Sequence, residues 1–340
     1  MDKFESAEQF QETLSEHGYE YKRNLGTGAF STVFLCHRKK YSQDFAVKRT
    51  IRHGVTEFEY NAMVSLHHPN IVQLYDSFND DSAHYLVMEY CPNGTLIDKG
   101  ILSYEKFIFY AKQILEALSF CHSLNIAHRD IKPDNIFIDQ YDHIKLADFG
   151  MANIFHNNCK TSEKCGSFCY VAPEMFRFRE IDPFKADIWA LGITFFYMVT
   201  GTVPFTFVSK DDLKEKILFG ELDFYLYDFD PEICFLIRKM TEKNVKLRPT
   251  AEKLLKFPIF QSSYIRKSAM SRILKKPLTV YRTKPKIRAH QSLAINVNTD
   301  TQNNDENGKV RRVINSYKSV TFVSGTQRNK NRFQFVKDAL

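Results

Sequence analysis

One stretch constrains this chain more than any other. Residues 128–135 have the sequence HRDIKPDN, and the triplet DFG follows at 148–150. Acids, a lysine and an asparagine in this order suit phosphoryl transfer, in which a carboxylate orients a hydroxyl and cations neutralise phosphate charge. Oxygen ligands of this kind also suit Mg²⁺. The candidate catalytic residues are Asp130, Lys132 and Asn135, and the candidate metal ligands are Asn135 and Asp148.

A second pair of motifs lies upstream, in a region whose alternation predicts hairpin strands. Residues 25–33 read LGTGAFSTV, and such a glycine-containing turn lets backbone N–H groups approach phosphate oxygens. Lys48 follows in the sequence AVK on the expected third strand. A long lysine side chain needs an anionic partner to hold it, and Glu59 is the candidate, with Glu57 as the alternative.

Taken together, these motifs resemble those of a eukaryotic protein kinase over residues 19–260. The position of Lys132 inside the catalytic loop indicates the serine/threonine type, and the sequence GSFCY at 166–170 is most similar to the calmodulin-dependent and AMP-activated group. The resemblance implies an α+β, bilobal protein kinase fold. The expected parts are an antiparallel β small lobe at 19–88, a hinge at 89–94 and a mainly helical large lobe at 95–260.

The resemblance further implies ATP and Mg²⁺ in a cleft between the lobes. Met88 is expected at the back of the adenine pocket, which is an apolar site with a few backbone polar groups. The backbone of the hinge is expected to hydrogen-bond the base, and the Thr95 hydroxyl is a candidate ribose contact. The expected nucleotide-site residues are Leu25, Gly26, Thr27, Gly28, Ala29, Phe30, Ser31, Thr32, Val33, Ala46, Lys48, Glu59, Met88, Glu89, Cys91 and Phe137.

The segment between residues 150 and 174 is the family's activation segment under this resemblance. Arg129 precedes the catalytic aspartate, so an anion on the segment is expected to pair with that arginine and order the loop. The family's phosphothreonine position is occupied here by Glu163, which leads to the hypothesis that a carboxylate replaces the phosphate. The replacement is partial, because a carboxylate carries one negative charge against about 1.5 to 2 for a phosphate.

Two alternatives to that hypothesis stay open. Thr161 and Ser162 are neighbouring candidate phosphorylation sites, and Glu163 is equally compatible with an exposed loop residue that pairs with nothing. Ser167 is expected to hydrogen-bond both Asp130 and Lys132. The expected regulatory residues are Arg129, Thr161, Ser162, Glu163 and Ser167.

Several further patterns predict structure rather than chemistry. A short helix is expected at 6–17, because Phe10 and Leu14 share a helical face and Gly18 can end it; it is expected to pack on the domain, with a frayed leader as the alternative. Helices are also expected at 103–124, with Ser103 as N-cap, and from Asp187 through Met198. By resemblance, Asp187 anchors the catalytic loop and Arg248 pairs with Glu174. The resemblance also implies an apolar column that links the lobes, made of Met63, Leu74, His128 and Phe149.

Charge separates the kinase-like region from the rest of the chain. Residues 261–340 hold 17 Lys and Arg against 4 Asp and Glu, a net +13, while residues 1–260 are net −6. The domain prediction is a helical leader at 1–18, a kinase domain at 19–260 and a basic, partly disordered tail at 261–340. Within the tail, residues 263–276 are expected to form a basic amphipathic helix that binds a calmodulin-like or other acidic partner, covers the active site or lies on a membrane. A final helix that packs on the large lobe is the alternative.

Composition restricts the remaining classes of protein. The seven cysteines are scattered, which suits reduced thiols, and no apolar run reaches the roughly 18 residues of a membrane span. We therefore expect a cytoplasmic protein with no transmembrane segment, with nuclear access left open, and no nucleic-acid partner. Two other functions compete with the kinase: a pseudokinase scaffold that acts through the tail, and a basic adaptor for nucleic acid or membrane.

Overall fold

A computed structural model describes residues 7–28, 31–51, 57–155, 161, 166–224 and 230–261. Helix α1 (Ala7–Glu16) comes first and confirms the helix expected at the N-terminus. It ends at Gly18, whose φ of 79° is left-handed. The backbone N–H of Gly18 donates to Ser15 O at 2.9 Å and that of Tyr19 donates to Leu14 O at 2.8 Å, so glycine closes the helix in a Schellman motif.

The small lobe is a five-stranded antiparallel sheet with helix α2 (Glu57–Ser65). Its strands are β1 (Glu20–Thr27), β2 (Ser31–Arg38), β3 (Gln43–Ile51), β4 (Leu74–Asn79) and β5 (Ala83–Glu89), and their order in the sheet is β1-β2-β3-β5-β4. The register pairs Val33 with Lys48 and Ala46 with Met88, which places these four side chains on one face because strand side chains alternate.

The opposite face of this sheet is also apolar, and α1 covers it. Leu14 of α1 is fully buried in a cluster that includes Phe45, Val47 and Tyr85 of the sheet. Next to the cluster, His17 stacks on Phe78 with ring centroids 3.9 Å apart. The helix therefore packs on the small lobe.

The large lobe is mainly helical, as expected. Its central helices are α4 (Tyr104–Ser123), with Ser103 Oγ accepting from Lys106 N at 3.3 Å, and α6 (Pro183–Thr200). The other helices are α3 (Leu96–Lys99), α5 (Glu174–Arg177), α7 (Lys210–Phe219), α8 (Pro231–Met240) and α9 (Ala251–Leu255). The short strands are β6 (Ile126–Ala127) paired with β9 (Asn153–Ile154), and β7 (Ile136–Ile138) paired with β8 (Ile144–Leu146).

One helix boundary differs from the sequence prediction. Helix α6 begins at Pro183, four residues before the expected start at Asp187. Asp182 caps it, accepting from Phe184 N at 3.0 Å and Lys185 N at 3.1 Å. An acid followed by proline is a recognisable helix start, because proline at the first helical position loses no hydrogen bond. The fold class is the predicted α+β arrangement with an antiparallel β lobe and a helical lobe. In the described part of the chain, no helix is long and apolar enough to cross a bilayer.

Candidate active site

The catalytic-loop candidate leaves β6 and is held by a side chain of α6. Asp187 accepts the backbone N–H of His128 through Oδ2 and that of Arg129 through Oδ1, both at 2.8 Å. Arg129 has a φ of 70°, a left-handed conformation that costs free energy in a non-glycine residue. The buried Asp187 carboxylate offsets that cost with two charge-assisted hydrogen bonds and so fixes the loop in one conformation.

The carboxylate of Asp130 lies at the centre of a dense hydrogen-bond network. Lys132 Nζ donates to Asp130 Oδ2 at 2.7 Å, and Ser167 donates to Oδ1 through its backbone N at 3.0 Å and its Oγ at 2.8 Å. Ser167 Oγ also accepts from Lys132 Nζ at 2.7 Å, so the hydrogen bonds expected of Ser167 are present. Burial raises the pKa of Asp130, but the Lys132 charge and the hydrogen bonds outweigh it and hold the pKa below its usual range.

Lys48 joins the two lobes at the other side of the site. Its Nζ lies 2.6 Å from Glu59 Oε1 on α2 and 3.1 Å from Asp148 Oδ1. Burial lowers the pKa of Lys48, but the two carboxylates outweigh it and the net pKa is raised. Asp148 shows the mirror effect: burial raises its pKa, while Lys48 reverses the shift and lowers it. The structure therefore pairs Lys48 with Glu59, and the Glu57 side chain lies outside the described residues.

The remaining metal-ligand candidate, Asn135, is oriented by the loop itself. Its Nδ2 donates to the backbone carbonyl of Asp130 at 2.8 Å and to Asp130 Oδ2 at 3.0 Å. A carbonyl only accepts hydrogen bonds, so the amide orientation is fixed and Oδ1 is the atom left to face a ligand. Asn135 and Asp148 both line the cleft, and an amide oxygen with a carboxylate is the hard donor set that Mg²⁺ takes. These residues fit the expected ion.

A cleft of about 510 Å³ holds most of the expected nucleotide-site residues. This volume is within the range of small-molecule sites. Thr27, Gly28 and Thr32 do not line it, and Ala29 and Phe30 lie outside the described residues. The expected residues that do line it are Leu25, Gly26, Ser31, Val33, Ala46, Lys48, Glu59, Met88, Glu89, Cys91 and Phe137, together with Asn135 and Asp148.

Around the hinge, the structure shows contacts that sequence reasoning missed. The Glu89 carboxylate is held by Lys145, with Nζ 2.7 Å from Oε1, so the side chain is engaged by the large lobe. Thr95 Oγ1 donates to Asp98 Oδ2 at 3.2 Å and Thr95 N donates to the same oxygen at 2.9 Å. The Thr95 hydroxyl expected to serve ribose is thus engaged by Asp98, which itself lines the cleft. The spacing Thr95-x-x-Asp98 is that of a helix N-cap with an acid at the third position, and this signal could have identified the contact.

The expected apolar column is present between the lobes. Met63 and Phe149 are buried in the main core cluster, and Leu74 packs against it. His128 is fully buried, with its ring centroid 4.8 Å from that of Phe149. The His128 ring lies 2.9 Å from Ala147 O through Nε2, and Asp130 N donates to Nδ1 at 3.3 Å, so Nε2 carries the proton in a neutral ring.

The described part of the activation segment is tied closely to the catalytic loop. Gly166 has a φ of 110°, and a Cβ on it would lie 2.7 Å from Arg129 O, so only glycine fits. Thr161 is buried and pairs with Ile181 through Thr161 N to Ile181 O at 3.0 Å and Ile181 N to Thr161 O at 2.9 Å. Because Thr161 is buried in this conformation, its side chain would have to become exposed before its hydroxyl could be phosphorylated. Ser162 and Glu163 lie outside the described residues.

A comparison with protein families identifies the family of this chain. The model described as "Protein kinase domain" matches residues 19–260. The chain belongs to the protein kinase family. Curated relatives agree with this assignment and with the resemblance to serine/threonine kinases of the calmodulin-dependent and AMP-activated group, which is confirmed.

Three relatives of this kinase-family chain illustrate the similarity. CBL-interacting serine/threonine-protein kinase 2 of Arabidopsis thaliana is 34% identical over 266 residues, covering 73% of this chain and 56% of the relative. Probable serine/threonine-protein kinase MARK-A of Dictyostelium discoideum is 32% identical, covering 71% and 24%. Calcium-dependent protein kinase 6 of Plasmodium berghei (strain Anka) is 35% identical, covering 72% and 17%. The matched region is thus about half, or less, of each of these relatives.

Proposed function

We propose that this chain is a protein serine/threonine kinase that transfers the γ-phosphoryl group of ATP to hydroxyls of protein substrates. The observation that carries the proposal is the Asp130 carboxylate, which is held between Lys132 at 2.7 Å and Ser167 at 2.8 Å and has a lowered pKa. A carboxylate that is ionised at neutral pH and rigidly placed can orient a substrate hydroxyl and take up its proton.

The other charged groups support the same reaction. Lys48, held by Glu59, is placed to bind phosphate oxygens in the cleft, and Lys132 is placed to neutralise charge on the transferring group. Asn135 and Asp148 would hold Mg²⁺, which would supply further positive charge to the phosphates. A pseudokinase scaffold has no need of this complete set of residues.

The test is transfer of labelled γ-phosphate to a library of serine and threonine peptides by residues 1–340. We expect transfer by the wild-type protein and a loss of about 10²- to 10⁴-fold in kcat for Asp130→Asn, the range that general-base catalysis typically contributes. Asp81→Asn, an exposed carboxylate outside the site, is the matched control and should change nothing. Folded protein that binds ATP and transfers no phosphate would favour the pseudokinase scaffold instead.

We also propose that Glu163 replaces an activation-segment phosphate and gives substantial activity without an upstream kinase. The support is its position in the sequence, where the family carries a phosphothreonine, together with the presence of Arg129 directly before Asp130. In phosphatase-treated protein, Glu163→Ala should lower kcat, and Glu163→Gln should lower it to a similar extent because the charge is what matters. Unchanged activity in both variants would reject the replacement.

For the tail, we propose that residues 263–276 bind an acidic partner of the calmodulin type. The support is the basic amphipathic pattern of that segment, and one relative is named a calcium-dependent kinase while another is named CBL-interacting. Calorimetric titration of the full chain with calcium-loaded calmodulin tests the proposal. Binding should be lost in the variant with Arg272, Lys275 and Lys276 changed to Glu. Absence of binding by the wild-type chain would favour a helix packed on the large lobe.

A further inference from the structure

A second large concavity lies on the large lobe, apart from the nucleotide cleft. This groove of about 880 Å³ is formed by residues 173–182 on one side and residues 243–246 on the other, with Lys185 of α6 between them. We call it the basic groove. Residue Ile181 lines both the basic groove and a small cavity that Asp130 and Ser167 also line, so the groove lies on the same lobe as the catalytic loop and is connected to it through the end of the activation segment.

Five cationic side chains line the basic groove, and three of them donate to backbone carbonyls. An Arg177 guanidinium nitrogen donates to Leu218 O at 3.1 Å, the Lys185 ammonium donates to Arg248 O, and the Lys243 ammonium donates to Gly220 O. Carbonyls orient these groups but carry no net charge. Burial lowers the pKa of Lys185 and of Lys243, which shows the cost of holding these charges away from water. The five cations are Arg177, Arg179, Lys185, Lys243 and Lys246.

The carboxylates of the groove do not balance these charges. Glu174 is already neutralised by Arg248, with distances of 2.6 and 2.9 Å between the paired atoms. Asp182 is used as the N-cap of α6, and Glu180 is exposed. Counting the lining residues without Glu174, five cations face two carboxylates, and a third carboxylate, Glu221, acts on Lys243 from outside the lining; residues 1–260 as a whole are net −6. The groove is a local concentration of positive charge on an otherwise acidic domain.

The chemistry of the groove selects its occupant. An acidic peptide segment provides the complementary charge, and the concave shape favours an extended chain over a flat surface. Two exposed aromatic side chains add apolar contact area at the rim: Phe178 is 54% exposed, and Phe219 is 72% exposed with Arg177 lying 5.7 Å from its ring centroid. The basic tail of the same chain, at net +13, is repelled by this surface.

We propose that the basic groove is a docking site for an acidic segment of the protein substrate, separate from the residues around the acceptor hydroxyl. The proposal rests on the proposed kinase function. Docking of this kind raises the local concentration of the acceptor hydroxyl without taking part in the chemical step. It should therefore lower KM and leave kcat unchanged.

The test compares two peptides that share one acceptor sequence selected from the library. The short peptide contains only that sequence, and the extended peptide also carries a run of Glu and Asp, joined by a flexible linker to its N- or C-terminus. With wild-type residues 1–340, the acidic extension should lower KM about tenfold. The docking variant changes Arg177, Arg179 and Lys246 to Glu, because these three side chains are exposed and their replacement spares the core. It should abolish the advantage of the extended peptide and leave kcat and KM for the short peptide unchanged.

A matched control separates docking from the overall charge of the protein. Changing Lys39, Lys40 and Lys239 to Glu alters the net charge by the same amount at exposed positions outside the groove. This control should retain most of the KM advantage, and added salt should reduce it in the wild type. The docking site would be overturned by an equal KM for both peptides, or by an equal loss of the KM advantage in the control and the docking variant. Transfer to the short peptide would still support the kinase function in either case.

If neither peptide is phosphorylated, a direct binding measurement tests the docking site. Fluorescence anisotropy of the labelled acidic extension should show binding to wild type and to the control, and its loss in the docking variant. Binding of a single-stranded oligonucleotide that depends on the same three residues, without binding of the peptide, would overturn the proposal in favour of a nucleic-acid site. The failure of the kinase function and the failure of the docking site therefore give different results.

Discussion

The ionisation of Asp130 shows how one residue in this site depends on its neighbours. Burial alone raises its pKa, and the Lys132 charge, two residues away in sequence, reverses the shift. A folded-state pKa below the unfolded value contributes stability that is fully present above the unfolded pKa of about 3.9 and is lost as pH falls through the folded pKa. Above pH 5 the wild-type carboxylate is therefore ionised, and it does not limit activity.

Replacing Lys132 with Met should bring the titration of Asp130 into view. Without the ammonium, burial dominates and the pKa of Asp130 rises, so the acid limb of kcat/KM should move to higher pH, in addition to a fall in the maximum. The measurement is kcat/KM for peptide phosphorylation between pH 5 and pH 8. Lys112→Met, at an exposed position of α4, is the control and should keep the wild-type profile. An identical profile in Lys132→Met would contradict this origin of the pKa.

Sequence reasoning at the residue scale worked where chemistry fixes both residue type and spacing. The motifs alone indicated the pairing of Lys48 with Glu59, whereas the contact of Lys48 with Asp148 was found only in the structure. The Thr95 hydroxyl was different, because a local hydrogen bond to Asp98 competes with any ligand contact. The catalytic roles of Lys48, Glu59 and Asp148 stay predictions. Short polar side chains often bond to their own turn, and a motif position does not reveal this.

At the scale of elements, the activation segment depends on one glycine. In Gly166→Ala, the new Cβ would lie 2.7 Å from Arg129 O in a backbone with φ 110°, so the segment must shift and carry Ser167 away from Asp130. A displacement near 1 Å at a catalytic group costs roughly 10²-fold in rate. We expect such a fall in kcat with nucleotide affinity retained, because Gly166 does not line the nucleotide cleft.

Gly100→Ala is the matched control for this substitution. Gly100 also has a positive φ, 64°, but a Cβ on it would meet nothing within 4 Å. It therefore carries backbone strain without the collision, and kcat should stay near the wild-type value. Equal losses of kcat in the two variants would show that strain, and not contact with the catalytic loop, is responsible.

Helix α1 makes the second prediction at this scale. Leu14 is fully buried against the outer face of the sheet, although it precedes the residues matched by the family model. Leu14→Ala should destabilise the folded domain by about 2–5 kcal/mol, the usual cost of such a truncation, and lower the apparent Tm by several degrees. Gln11→Ala, exposed on the same helix, should leave the Tm unchanged in the same thermal scan. A Leu14→Ala protein with wild-type Tm would mean that α1 does not stabilise the lobe.

The sequence predicted that α1 exists, because Phe10 and Leu14 share a helical face and Gly18 follows. It also predicted that the helix packs on the domain, but not which face of the sheet it covers. Strand residues such as Phe45 and Val47 alternate with cleft-facing Ala46 and Lys48, and alternation of apolar residues on both faces shows only that both faces are buried. Which element buries the second face is decided by tertiary packing.

For the whole molecule, the fold follows from motifs that lie far apart in sequence and meet in space. Asp187 of α6 holds the catalytic loop, and Arg248 near the end of the domain pairs with Glu174 at the end of the activation segment. The resemblance predicted both links. The basic groove was not predicted, because its cations come from three separate segments whose proximity no local pattern encodes.

The Glu174–Arg248 pair sets the last prediction, since it joins the activation segment to the C-terminal part of the domain inside the core. Both side chains are at most 2% exposed, and Arg248 also donates to Glu242 O at 2.9 Å and Lys185 O at 2.7 Å. Arg248→Met leaves a buried carboxylate without its cation, which typically costs about 3–5 kcal/mol. Chemical denaturation should show this loss.

The double variant Glu174→Leu with Arg248→Met separates the charge effect from the packing effect. Removing both charges also removes the unpaired carboxylate, so stability should recover in part. It should not recover fully, because the carbonyls of Glu242 and Lys185 lose their donor. Lys256→Met, in an exposed pair with Glu252, should give no measurable change. A double variant no more stable than Arg248→Met alone would mean that the lost contacts of the arginine with backbone and Trp189, and not the unpaired carboxylate, account for the destabilisation.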